Sequence, residues 1–336
     1  MLTKVIQMYF KGTLVIIFCL FVVPQIAKGQ DVVYSQYYGN PVYLNPSLVG
    51  NKINPRLSLI YRNQWHNLNK GYVNFGISYD QYVRKMSGSV GVILNNDVYG
   101  GGLCNNFSGS IIYAFQTYVF KDFTASIALQ SGFFQRSINT DKLVFGDQIV
   151  PGSGQLLPTN EVVDRDKVSD LDFAAGITIG YKHDYYVGFA LHHLANPDIS
   201  FIGNDAHKLD TRITVHAGAI FDVGYYKTYP AAGSKSISPN ILFVKQGDFM
   251  QLSLGTYFNV YPLTVGLWGR HCFNNFDALV VQIGVEQKKY KIGYSFDFTL
   301  SKLSINSGGA HEISFSWIFP EIKNNFNRYT INDPVY

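Results

Sequence analysis

The sequence predicts an all-β fold: a closed antiparallel transmembrane β-barrel of about 14 strands, with short periplasmic turns and longer extracellular loops. Three observations carry the prediction. Apolar and polar residues alternate with a period of two in one run after another. The clearest runs are about 9–11 residues long, enough for a tilted strand to cross a bilayer. The connections between runs alternate between short and long.

The clearest stretch is Tyr290 to Phe319. Tyr290, Ile292, Tyr294, Phe296, Phe298 and Leu300 share one side of a strand, and Lys291, Gly293, Ser295, Asp297, Thr299 and Ser301 share the other. After a Ser/Asn/Gly-rich turn, Ile313, Phe315, Trp317 and Phe319 oppose Glu312, Ser314 and Ser316. So much aromatic area on one face needs a cover. If every strand repeats the pattern, the cover is lipid.

Composition agrees. Charged residues are 15% of the 336-residue chain and aromatic residues another 15%, against a usual charged fraction of about 25%. Mean hydropathy is near zero, which excludes a helical membrane bundle, because alternation averages the two faces. The net charge of +4 is mild and forms no basic stripe, so nucleic acid is not an expected partner.

The first residues read as an export signal. Lys4 and Lys11 carry positive charge, Thr13 to Val23 is apolar, and Ala27-Lys28-Gly29 precedes an expected cut before Gln30. The apolar run is shorter than the ~20 residues of a spanning helix. The expected organisation is therefore a cleaved signal peptide (1–29), an extended N-terminal segment (30–55) packed on or inside the fold, a barrel (56–319) and a polar tail (320–336). Cys19 leaves with the signal. Cys104 and Cys272 remain, either as a disulfide or as two free thiols.

The remaining strands follow in order. Leu57, Leu59 and Tyr61 mark the first greasy face, and Val73, Phe75, Ile77 and Tyr79 the second. Then come Val90 to Leu94, Ile111 to Phe115, Phe123 to Leu129, Phe173 to Ile179, Val187 to Leu191 and Ile213 to Phe221. A less regular run spans Ile237 to Val244. Leu252 to Phe258, Leu263 to Leu267 and Leu279 to Val285 complete the set. Even-numbered connections are short: Val83–Ser87, Lys121–Asp122, Lys182–Asp184, Asn259–Pro262 and Lys288–Lys289, with Gly224–Ser236 longer. Odd ones hold the long loops Val98–Asn106, Asn139–Leu171, Asn196–Asp210 and Lys302–Ala310, with a tight exception at Gln246–Asp248. Tyr and Trp near strand ends suit the two membrane interfaces.

The polar face carries Arg56, Arg62, Asp80, Arg270, Glu286, Asp297 and Glu312. With both signs present, they either pair across a narrow lumen, or line a pore, or grip a partner segment. His192 and His193 adjoin, but neighbouring strand residues point apart, so His192 is expected inward and His193 outward or into the rim. No ligand spacing suggests a metal, and no nucleophile, base and orienting group converge. No catalytic residue, cofactor or metal is expected.

Specific motifs then resemble a family. SQYYGNPVYLNPSLVG (Ser35 to Gly50), YRNQW (Tyr61 to Trp65), SYDQ (Ser78 to Gln81), FGDQI (Phe145 to Ile149), HHLANPDISF (His192 to Phe201), GYSFD (Gly293 to Asp297) and GGAHEISFSW (Gly308 to Trp317) run in order along the mature chain. Together they are similar to the PorP/SprF outer-membrane proteins of Bacteroidetes, although the tail beyond Phe319 is longer than usual. The resemblance implies a non-enzymatic role in type IX secretion. The implied partners are a secreted or adhesin cargo with a C-terminal sorting domain, such as accompanies gliding motility, and the translocon with its periplasmic ring. The alternative is a general diffusion channel, a porin.

Overall fold

The computed structural model describes residues 30–320, apart from 53, 69–70, 121, 150–151, 153–156, 183, 202–206, 224–233, 274 and 301–306. The predicted signal peptide and all of the predicted tail but its first residue lie outside the described residues.

The strands are β1 (Arg56–Gln64), β2 (Tyr72–Val83), β3 (Gly88–Tyr99), β4 (Cys104–Phe120), β5 (Phe123–Ile138), β6 (Lys167–Tyr181), β7 (Tyr185–His192) and β8 (Arg212–Ala219). After them come β9 (Phe221–Asp222), β10 (Lys235–Gln246), β11 (Phe249–Val260), β12 (Leu263–Cys272), β13 (Asn275–Glu286), β14 (Tyr290–Thr299) and β15 (Ala310–Ile318). β9 continues β8 after a break at Ile220, so the described residues make fourteen staves. Each stave pairs antiparallel with its sequence neighbour. β1 also pairs with β15, from Arg56↔Ile318 to Gln64↔Ala310. That seam closes the sheet, and closure is required in lipid because an open edge would strand unpaired N–H and C=O groups.

Alternation places the side chains as expected. On β4, Ile111, Tyr113 and Phe115 are exposed on the outer wall, while Ser110, Ile112 and Ala114 are buried inward. The connections are unequal in length at the two ends. One end carries 84–87, 121–122, 182–184, 261–262 and 287–289, with 223–234 as the longer exception; the other carries 65–71, 139–166, 193–211 and 300–309, with the short 100–103, 247–248 and 273–274. The short-turn end is periplasmic and the long-loop end extracellular.

Two expectations need correction. The expected long loop at Val98–Asn106 is only 100–103, because the ladder continues through Val98↔Asn105 and Tyr99↔Cys104. Gly100, Gly101 and Gly102 there all have positive φ, which makes the tight reversal. The segment 30–55 is not extended throughout. It folds into an α-turn at Pro41–Leu44 and a 3-10 turn at Pro46–Leu48, each opened by a proline whose missing N–H costs nothing there. Trp268, next to the outward Leu267, follows the alternation inward. It faces the lumen, fully buried, with Tyr37 5.0 Å and Tyr257 5.5 Å away between ring centroids. Trp317, at the end of β15, does face outward. Cys104 and Cys272 are both free.

The core of the molecule is the lumen, filled by the N-terminal segment. Tyr37, Tyr38, Leu44 and Leu48 pack on Tyr186, Leu242, Val244, Tyr257 and Trp268. Val42 and Val49 pack on Ile93, Ile112, Ala114 and Ala128 on the opposite wall.

Candidate functional site

The N-terminal segment crosses the lumen from Asp31, beside the extracellular ends of β7, β8 and β10, to Asn51, beside the periplasmic start of β1. Four polar contacts hold it, and the wall residues named from the sequence supply two of them.

The first lies at Ser35 and Gln36. The Glu312 carboxylate accepts the Ser35 N–H at 2.9 Å and the Gln36 N–H at 2.6 Å. Arg62 reaches Glu312 and Asp297, both at 2.9 Å. Arg270 reaches Asp297 at 2.9 Å and Asp277 at 2.5 Å. Ser35 Oγ donates to Asp297 at 2.7 Å, and Gln282 donates to the Ser35 carbonyl at 2.6 Å. Two buried carboxylates, Glu312 and Asp297, thus face two buried guanidiniums, with the partly exposed Asp277 as a third carboxylate at the edge. Bare burial of such charges is costly, so the pairing and the extra hydrogen bonds are what make it tolerable.

The second is at the periplasmic end. Asp80 accepts the Gly50 N–H at 2.8 Å and pairs with Arg56 at 3.0 Å. Gly50 has φ +64, and a Cβ there would meet Ser89 Oγ at 2.1 Å, so both conformation and space require glycine.

The third, not foreseen, is Asn45-Pro46-Ser47. The Asn45 amide lies 3.1 Å from His216 Nε2. Its oxygen accepts from Ser47 N at 3.0 Å and Ser47 Oγ at 2.7 Å. Ser126 donates to the Ser47 carbonyl at 2.6 Å. Gly176 makes room: a Cβ there would sit 2.1 Å from Asn45 Oδ1.

The fourth is Asp31, with His193 Nε2 at 2.7 Å and Arg212 Nη1 at 3.2 Å. Asp172 lies 2.9 Å from His193 Nδ1. His193 was expected outward or into the rim. Its φ of +59 breaks the strand alternation, so it turns inward beside His192. Burial would raise the Asp31 carboxyl, but His193 and Arg212 hold it well below the usual carboxylate range. Burial would lower the His193 imidazole, but Asp31 and Asp172 raise it to about 9. His193 is therefore a cation at neutral pH.

Of the seven residues named from the polar face, all are buried inward. Arg62, Arg270, Asp297 and Glu312 meet at Ser35. Arg56 and Asp80 meet at Gly50. Glu286 joins neither group and pairs with Lys291 at 2.7 Å. Asp31, Asn45, Asp172, His193 and Arg212 were missed. The dipeptide Asn45-Pro46 is a local turn signal, but nothing local in it encodes what it touches.

Above the plug, at the extracellular mouth, lies a recess of about 480 Å³ floored by Gln30 to Val33. Trp65, Tyr72, Tyr99 and Phe249 wall it, with Arg136 and Asp97. The Arg136 guanidinium sits 5.9 Å from the Tyr99 ring centroid and 5.6 Å from that of Phe201. Its Nε is buried without a hydrogen-bond partner.

The family model for the type IX secretion system membrane protein PorP/SprF matches residues 26–317. The chain belongs to the PorP/SprF family. This PorP/SprF protein is therefore a membrane protein of the type IX secretion system, and its barrel is of the outer-membrane kind. A search of curated proteins gave no match. Among solved structures, the Ralstonia pickettii toluene transporter TbuX is similar at 12% identity and TM-score 0.50, covering 83% of this chain and 93% of that one. The Acinetobacter baumannii outer membrane protein Omp33 has 8% identity and TM-score 0.42, covering 79% and 98%. At such identities the likeness to TbuX speaks for the fold alone, and that to Omp33 carries no argument.

Proposed function

We propose that this PorP/SprF barrel is a non-enzymatic receptor that holds a secreted or adhesin protein at the cell surface through that protein's C-terminal sorting domain. The extracellular recess and the loops around it (65–71, 139–166 and 193–211) form the receiving face, and translocon and periplasmic-ring components meet the barrel during delivery. The observation that carries the reading is the occupied lumen. A segment pinned at Asp31, Ser35, Asn45 and Gly50 fills the space through which solutes would diffuse. What remains concave and accessible is the mouth, walled by aromatic rings and an arginine with an unpartnered donor, the residue types that dominate interface energetics.

The test is affinity isolation from native membranes with translocon complexes kept intact. A large secreted protein bearing a C-terminal sorting domain should travel with the barrel. Recovery of the barrel alone would overturn the reading. The rival, a diffusion channel, is separated by planar-bilayer recording. The plugged barrel should be silent, and steady ion current from the intact chain would favour the channel.

A further inference from the structure

The ladder between β8 and β10 is interrupted. Their ladder runs from Arg212↔Gln246 to Gly218↔Asn240. It then skips and resumes only at Phe221↔Ile237. One local cause is visible: Pro239 has no N–H to offer the ladder. Ala219 is level with Pro239 and Ala217 stands opposite Ile241, where other outward positions of this stave carry Val, Ile or Phe.

Small residues beside a broken ladder leave a hollow. On the outer wall, toward its periplasmic end, lies a recess of about 580 Å³, lined by Ile179, Val187, Ala217, Ala219, Pro239 and Ile241. That volume falls in the range of built ligand sites, about 300–1,000 Å³. Its lower rim is aromatic: Phe123 and Tyr181 rings lie 4.6 Å apart, and Tyr181 and Tyr185 6.2 Å apart. Such rings mark the headgroup level of a bilayer. Lys182 Nζ sits 5.0 Å from the Tyr181 ring centroid, and Asp122 and Asp184 lie close enough to act on its charge.

We infer that this recess is a binding site for one zwitterionic phospholipid of the periplasmic leaflet, with an acyl chain lying in the hollow and the headgroup at the Lys182 rim. The hollow faces hydrocarbon, and left empty it forfeits dispersion contacts along its whole lining. An acyl chain is the flexible apolar body at hand in the bilayer, and the lining that meets it is mainly aliphatic and aromatic, with the buried Tyr186 and Asn240 behind it. The rim carries both signs. Lys182 meets the phosphate, and Asp122 and Asp184 meet an ammonium. A purely anionic headgroup would instead face two carboxylates.

The test uses the full chain, purified in mild detergent, stripped of lipid and re-equilibrated with phosphatidylethanolamine or phosphatidylglycerol. Bound lipid is read by native mass spectrometry, and folding by heat-shifted gel mobility. One phosphatidylethanolamine should be retained per barrel, about tenfold better than phosphatidylglycerol. Ala217→Phe fills the hollow from the lipid side and should abolish retention with mobility unchanged; Ala217→Leu is the milder form if the first misfolds. Lys182→Gln should weaken retention. Val92→Phe, on the lipid-facing side of β3, should leave it intact. Equal retention of phosphatidylglycerol, retention by the filled variants, or equal loss in Val92→Phe would each overturn the assignment.

Discussion

Arg62 and Glu312 are cross-strand partners at the seam where the first and last staves meet, with Nη1 2.9 Å from Oε2. The same carboxylate accepts two successive backbone N–H groups from the N-terminal segment. One residue thereby ties barrel closure to the filling of the lumen.

Glu312→Ala should therefore loosen both. It leaves the Arg62 charge with Asp297 as its remaining carboxylate and orphans two N–H groups. Removing one partner of a buried pair costs about 3–5 kcal/mol. Urea unfolding followed by heat-shifted gel mobility should show the lower midpoint. The segment 30–55 should also become protease-sensitive before the barrel unfolds. An unchanged midpoint would deny the coupling.

Gly176→Ala tests the Asn45 seat. The new Cβ would collide with Asn45 Oδ1, and overpacking of this kind costs about 1–3 kcal/mol. Asn45→Ala removes the obstacle along with its own hydrogen bonds. The double variant should lose less than the sum of the two singles, since contacting residues couple by about 0.5–3 kcal/mol. Simple additivity would mean that the two side chains do not meet.

The latch at Asp31 should depend on pH in a definite direction. The His193 value is raised from 6.5 to about 9. Its contribution is complete below pH 6.5 and is lost as pH rises through about 9. The Asp31 value is lowered from 3.8, so its contribution is complete above that pH and is lost on acidification. The protection of the Val32 to Tyr34 amides, their exchange relative to the intrinsic rate at each pH, should be greatest between these limits and fall toward pH 10. In His193→Gln the alkaline fall in protection should vanish. A flat profile in the intact protein would reject the ion pair.

If the extracellular recess receives cargo, Arg136→Ala and Trp65→Ala should each reduce co-isolated cargo. Truncating an aromatic or arginine anchor at an interface typically costs about 2–4 kcal/mol. The thermal shift on gels should stay near that of the parent chain. Loss of cargo together with loss of the folded band would point to a structural role instead.

Alternation of side chains, read residue by residue, was enough to locate all fourteen staves, the sense of each face and the sorting of long loops to one end. That follows from chemistry that is local: in a strand the inward or outward choice repeats every two residues, and lipid on one side imposes it without exception for long. It failed where the backbone left the extended region, at His193 with its positive φ. The polar face was equally legible, and its residues were named before their partners were known.

What only the tertiary structure decided is the fate of the segment before β1. Its sequence has no period, because it belongs to no sheet and touches a different wall at each step. The Ser35 N–H finds Glu312 across 277 positions of sequence, and Asp31 finds Gln246 across 215. No local pattern encodes such pairs. They exist because closing the barrel brings distant staves around one narrow space, where most buried donors and charges find their match in whatever lies opposite.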